Sequence, residues 1–322
     1  MKTLISSHKV RACCSVLFCI CFLLTSLTAC SFVKPAQKDI DYSLADFGGV
    51  YSTSYDSVDF SEEISSLGQP EEEIIAVSVG LADSKLLRWG ILRNPNNEPP
   101  KADPGAPELL KKYKGAYIGD TTKKTIYLTF DEGYENGYTP KILDVLHNTN
   151  VKAIFFITGP YLNKEQELVR RMVEEGHTVG NHTVHHPSLP TVEDRVIEEE
   201  VLGLERAFKE KFGKDMKFLR PPKGEYSERS LAITGKLGYY NLFWSFAYDD
   251  WYRDKSRGAD YAYNIVMKNL HNGAVLLLHA VSKDNADALE RIIQGAREKG
   301  YTFGDPEELI DWIETGSDGN DG

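Results

Sequence analysis

The sequence predicts an α/β chain folded into a distorted (β/α) barrel of about seven strands, TIM-like. Three observations predict it. From about residue 109 to 314, short apolar runs alternate with helical patterns, as repeated βα units do. About seven strands and seven helices fit into that stretch of roughly two hundred residues. The residues richest in chemistry, Asp131, Glu132, Arg220, Asp249, Asp250 and His279, each follow a strand candidate immediately or within a few positions. Barrels of this type carry their chemistry at the C-terminal ends of strands.

In chain order the strand candidates are 125–130, 152–157, 177–180, 217–219, 240–244, 274–279 and 301–303. The first is the β-rich run Thr125-Ile126-Tyr127-Leu128 leading to Thr129 and Phe130, and the sixth is the apolar run Ala274 to Leu278. Helix candidates lie at 139–148, 163–175, 191–212, 226–237, 260–271, 283–299 and 306–314. The helix at 191–212 is the clearest. Thr191 and Asp194 suit an N-terminal cap, Val196, Leu204 and Phe208 share one face, and Gly213 ends it. Ahead of the barrel, Leu86 to Leu92 carries Trp89 and is expected to pack on the outside of the domain. Asn94 to Pro107 is a loop dense in Pro and Asn.

The ends of the chain have different compositions. Lys2, Lys9 and Arg11 accompany an apolar stretch from Ala12 to Ala29, the pattern of a secretory signal over residues 1–30. It ends in Leu27-Thr28-Ala29-Cys30, which resembles a bacterial lipobox with Cys30 as the lipidated first residue of the mature protein. The expected location is therefore extracytoplasmic, anchored by lipid to the outer face of the membrane. Residues 31–85 read as a polar spacer, 86–314 as the folded domain and 315–322 as an acidic, Gly-rich tail. The five cysteines, Cys13, Cys14, Cys19, Cys21 and Cys30, all lie within the first thirty residues. The domain thus has no disulfide and no thiolate ligand, so any metal must be held by His and carboxylates. Removing the signal removes Lys2, Lys9 and Arg11, leaving 34 basic against 48 acidic residues and a net charge of −14. That surface repels phosphate backbones and argues against nucleic acid, whereas a neutral carbohydrate is compatible with it. A monomer is expected.

Two short segments carry most of the chemistry. Thr129-Phe130-Asp131-Glu132-Gly133 ends a strand in adjacent carboxylates, and His182-Thr183-Val184-His185-His186-Pro187 places imidazoles at i and i+4. Together they form the inventory of a catalytic metal site, since divalent cations of the Zn, Co or Mn type accept this mixed oxygen and nitrogen set. His185 adjoins His186 but points elsewhere on any regular backbone. His147, His177 and His271 sit in helix or strand patterns without partners and read as structural or surface residues.

From about Trp89 to Phe303 the chain resembles the NodB-homology polysaccharide deacetylases. The resemblance rests on five motifs in the family's order: Thr129 to Gly133, His182 with His186-Pro187, Arg220-Pro221-Pro222-Lys223-Gly224, Asp250-Trp251, and Leu277-Leu278-His279. Tyr134 to Pro140 and Leu276 to Asn285 further resemble the sporulation subgroup, which removes the acetyl group from N-acetylmuramic acid in peptidoglycan on the way to muramic δ-lactam in spore cortex. The resemblance implies metal-dependent deacetylation of peptidoglycan glycan strands. His182 and His186 would be metal ligands, Asp131 the base that takes a proton from water, and His279 the acid for the departing amine. Arg220 would orient the base, and Asp250 would pair with that arginine or with the acid. Trp251, Pro222 and Tyr134 would contact the sugar. Glu132 stands where the family usually has Asp as third metal ligand; it would bind directly, through water, or not at all. Ala280 replaces an Asp that many members carry after the last His, a replacement common in the sporulation subgroup. Other substrates open to the same machinery are N-acetylglucosamine glycans and O-acetyl polysaccharides. The non-enzymatic alternative is a wall-binding lipoprotein that has lost turnover.

Overall fold

The computed structural model describes residues 82–94, 96–252 and 255–315. The expected signal with Cys30, the spacer as far as residue 81 and the tail from residue 316 lie outside the described residues.

A period of two organises the central strands. In β5 (Thr125–Glu132), Ile126, Leu128 and Phe130 pack with Phe155, Ile157, Leu276 and Leu278 beneath the helices. Tyr127, one step out of phase, packs with Ile154, Phe156, Phe218, Leu242 and Val275 inside the curl of the sheet. Both faces are buried, which is why these strands read as continuous apolar runs. The remaining strands of the sheet are β4 (Gly115–Ala116), β6 (Ala153–Ile157), β7 (Thr178–Asn181), β8 (Phe218–Leu219), β10 (Tyr240–Leu242) and β11 (Ala274–His279). They lie in the parallel order β11-β5-β6-β7-β8-β10-β4, and β12 (Thr302–Phe303) pairs with the start of β5. Beyond β10 the backbone returns to the first strand. Phe246 N–H donates to Val275 O, and Leu277 N–H to Phe246 O, so the sheet curls into the expected distorted barrel.

All seven expected strands are present, with ends moved by no more than two residues. β4 was not among the expected strands. The expected helices appear as α2 (Thr139–Thr149), α5 (Asp194–Phe212), α6 (Glu228–Lys236), α7 (Ala259–Asn269), α8 (Lys283–Glu298) and α9 (Pro306–Thr315). The stretch at 163–175 instead forms two helices, α3 (Gly159–Lys164) and α4 (Gln166–Glu174), broken at Glu165. The Pro-dense loop ends in an unexpected helix, α1 (Ala106–Lys112), with Pro107 in its first turn. Proline is tolerated there because its missing N–H would have no helical partner anyway. Helix α5 corrects the expected cap. It starts at Asp194, no side chain caps it, and Thr191 closes a separate turn at Leu189–Thr191. Its buried face is Ile197, Val201, Leu204 and Phe208, with Val196 only half-buried. Gly213 ends it in the left-handed region, as expected. At the lower end of the barrel, Leu309 and Ile310 of α9 pack into the interior against Tyr127, closing that end.

Trp89 is the main correction to the expected packing. It is fully buried rather than outside. The segment around it forms β1 (Leu87–Arg88), antiparallel to β9 (Glu225–Tyr226), and β2 (Ile91–Leu92), antiparallel to β3 (Lys101–Ala102). The indole N–H donates to Trp244 O at 2.9 Å, and the ring centroid lies 4.8 Å from that of Phe243 and 5.0 Å from that of Tyr117. Trp89 therefore anchors a second apolar cluster behind the loops that follow β8 and β10. Gly224 permits the close packing there: its φ is +63°, and a Cβ would come within 2.7 Å of the Trp244 ring.

Candidate active site

The interior face of β5 turns from apolar to polar as it rises, from Tyr127 through Thr129 to Asp131. Arg220, the residue after β8, is fully buried and fills this level. Its Nη1 donates to Asp131 Oδ1 at 2.7 Å and to Thr129 Oγ1 at 2.9 Å, its Nε to Leu242 O at 2.9 Å, and its Nη2 to Phe243 O at 3.2 Å. The guanidinium also lies over the Phe156 ring, 4.2 Å from the centroid. Burial alone would raise the Asp131 carboxyl. Arg220, with His182 and His279 beyond it, outweighs burial and holds the group below the ordinary carboxylate value.

Asp131 Oδ2 is turned toward His182, 3.6 Å from its Nε2. His182 follows β7, and its Nδ1–H donates to Arg220 O at 2.8 Å. The carbonyl fixes the proton on Nδ1, so Nε2 presents a lone pair. That lone pair faces Nε2 of His186 at 3.2 Å. The turn between them places Thr183 and His186 at positive φ (68° and 57°), and His186 N–H donates to Thr183 Oγ1. Burial lowers the pKa of both imidazoles, in His186 well below the ordinary value, so both are neutral donors. Two nitrogens bound to one tetrahedral ion at about 2.0–2.1 Å lie about 3.3–3.4 Å apart. The pair fits such an ion.

Glu132 is not brought to this pair. Strand geometry continues through residue 132 and carries its side chain to the face opposite Asp131, that of Phe130. There it is fully buried, and among the described residues neither carboxylate oxygen has a hydrogen-bond partner. Burial, with the charges of Glu135 and Asp131, pushes its carboxyl well above the ordinary value, while Tyr161 acts weakly the other way. Among the described residues, no three His, Asp or Glu side chains converge as a complete ligand set.

On the other side of β5 stands β11. Their parallel register makes His279 the partner of Asp131. His279 Nδ1–H donates to Asp250 Oδ1 at 2.7 Å, and its backbone N–H to Asp250 Oδ2 at 2.9 Å. Of the two partners open to Asp250, the structure therefore selects His279 rather than Arg220. Burial alone would lower the imidazole pKa; Asp250, and then Asp131, outweigh it and raise it. With Nδ1 engaged, Nε2 is the nitrogen that exchanges protons. Trp251 packs its ring edge-on to His279, with centroids 5.7 Å apart. Pro222 is buried two residues past Arg220, in a turn where Lys223 has φ 61°, and Tyr134 is half-buried just after β5.

Two residues belong here that had been given no role. Asn285 donates to Asp250 Oδ2 and to His279 O (3.1 Å) and accepts from the Tyr248 hydroxyl, so it locks the Asp250–His279 pair. Its signal was its place in the run that begins at Leu276. Thr129 bridges Arg220 and Leu276 O. His185 is directed at Glu200 (2.6 Å), away from the imidazole pair, while His177 and His271 pack into the surrounding structure.

Residues 118–242 match the family model described as polysaccharide deacetylase. The peptidoglycan-N-acetylmuramic acid deacetylase PdaA of Bacillus subtilis is 44% identical over 225 residues, which are 70% of this chain and 86% of that protein. The solved structure of B. subtilis PdaA, a family 4 carbohydrate esterase, superposes with a TM-score of 0.70 at 43% identity, covering 71% of this chain and 98% of that one. A family 4 carbohydrate esterase from Bacillus anthracis gives a TM-score of 0.60 at 43% identity, covering 72% and 99%. The chain belongs to the polysaccharide deacetylase family, as a carbohydrate esterase of family 4.

Proposed function

We propose that this enzyme hydrolyses the N-acetyl group of N-acetylmuramic acid in peptidoglycan, on the way to the muramic δ-lactam of spore cortex. The observation that carries the reading is the register match of Asp131 and His279 on adjacent strands, with the neutral His182–His186 pair beside Asp131. The 44% identity to a muramic acid deacetylase supports the choice of sugar.

A divalent ion would be held by His182 and His186. When bound, such an ion supplies a Lewis acid for the acetyl oxygen and makes water more acidic. Asp131 Oδ2 takes the proton from the attacking water, while Arg220 fixes Oδ1 and keeps the carboxyl ionised at neutral pH. His279 gives a proton from Nε2 to the departing amine. Asp250 keeps the imidazolium available and Asn285 holds Asp250 in place. Trp251, Pro222 and Tyr134 border the sugar. In the cell the protein would be a monomer, lipidated at Cys30 and held on the outer face of the membrane or in the space around the forespore.

The test uses residues 31–322, stripped with chelator and given one divalent metal at a time, with glycan strands carrying or lacking peptide stems. Mass spectrometry of the muropeptides should show metal-dependent acetyl loss from muramic acid. Loss only from glucosamine would keep the chemistry and sink the muramic assignment. Glycan binding without acetyl loss would sink the catalytic reading.

A further inference from the structure

We propose that Lys255 recognises the lactyl carboxylate that distinguishes muramic acid from glucosamine, a proposal that rests on the muramic reading above. A cleft of 90 Å³ opens at the C-terminal end of the barrel, lined among others by Asn136, Asp250, Tyr252, Lys255, Arg257 and Lys283. It shares Asp250 with the site, and Asp250 is bonded to His279 Nδ1, so one residue connects the cleft to the group assigned as the acid.

The carboxylates of this cleft are engaged. Asp249 pairs with Arg257 at 2.5 Å, and Asp250 is held by His279 and Asn285. Asp284 accepts from Ser256 Oγ, Arg257 N–H and Gly258 N–H, at 2.6, 2.6 and 2.9 Å. Lys283 is bound to Asp287, which Lys141 shares. Lys255 differs. Its Nζ lies 3.7 Å from the centroid of the Tyr252 ring, it is exposed, and among the described residues no carboxylate stands within ion-pair distance. The ring holds the ammonium over its face and leaves its N–H donors for an incoming acceptor.

The chemistry of the sugar matches this placement. In muramic acid the lactyl ether is carried on C3, next to the C2 that bears the acetamido group, and glucosamine has only a hydroxyl there. In this proposal the acetamido nitrogen is set at His279 and the neighbouring C3 substituent is directed toward the cleft that shares Asp250. A free lactyl carboxylate would meet Lys255 as a charge-assisted hydrogen bond. When the carboxyl is converted to an amide, that charge pairing is lost.

The experiment compares the metal-loaded wild type, Lys255→Met and Lys255→Arg on peptide-free muramic acid glycan, and on the same glycan with its lactyl carboxyls converted to carboxamides. Lys255→Met should raise KM on the carboxylate glycan about tenfold, the scale of one hydrogen bond to a charged group, with kcat changed less than about twofold. Lys255→Arg should restore KM to within about threefold. On the carboxamide glycan, wild type and Lys255→Met should share the same raised KM, because the interaction is already missing. A wild type that deacetylates muramic acid while Lys255→Met matches it on both glycans would overturn the proposal alone. A wild type that leaves muramic acid untouched would overturn the muramic reading and the proposal with it.

Discussion

Replacing Arg220 by Met tests the centre of the site, because it removes every donor while keeping much of the apolar stem. Four contacts are lost, to Asp131, Thr129, Leu242 O and Phe243 O. Removing one member of a buried ion pair costs about 3–5 kcal/mol, since the other charge is left uncompensated. For a domain of this size each kcal/mol moves Tm by about 2–4 °C, so the midpoint should fall by about 6–20 °C. The same change acts on Asp131, the group proposed as the base. Asp131 is held below its ordinary value, so its contribution to stability is present above the unfolded carboxyl value of about 3.9 and is lost as pH falls through the folded one. Without Arg220, burial dominates and the carboxyl rises. The acid limb of kcat/KM should therefore move to higher pH, and acid unfolding should begin at higher pH. Urea denaturation and a pH–rate profile on one glycan substrate measure both. A variant within about 1 kcal/mol of wild type with an unmoved acid limb would refute the reasoning.

Asp250→Asn removes the charge that overcomes burial at His279, so the imidazole pKa falls, the alkaline limb of kcat moves to lower pH and kcat at neutral pH drops by about 10²–10⁴. Glu132→Gln should leave divalent-metal affinity by titration calorimetry within about threefold, whereas His186→Ala should abolish it, because Glu132 faces away from the imidazole pair. Trp89→Ala should cost about 3–5 kcal/mol in chemical denaturation, because a fully buried indole leaves a cavity and the Trp244 carbonyl loses its donor.

The barrel was legible because its strands are buried on both faces and must be apolar without interruption, as from Ala274 to Leu278. Asp131, Arg220 and His279 were legible because each stands at or just beyond the end of such a run. Trp89 was misplaced because its partners, Gly224 and Trp244, lie more than 130 residues along the chain. No local pattern distinguishes an aromatic on the outside from one that enters a second cluster. The cap of α5 failed for a related reason: Asp194 is engaged by Arg229 from another helix rather than by its own backbone.

From local pattern and motif alone, the chain determined its strand positions, its family resemblance and the residues that meet at one end of the sheet. Tertiary structure decided how those residues pair. It joined Asp250 to His279 rather than to Arg220, recruited Asn285 as their lock, and turned Glu132 away from the His182–His186 pair. The physical reason is that the identity and spacing of residues specify which groups reach the site. Strand register and the direction of each side chain, which specify what a group touches there, are set only when distant segments pack together.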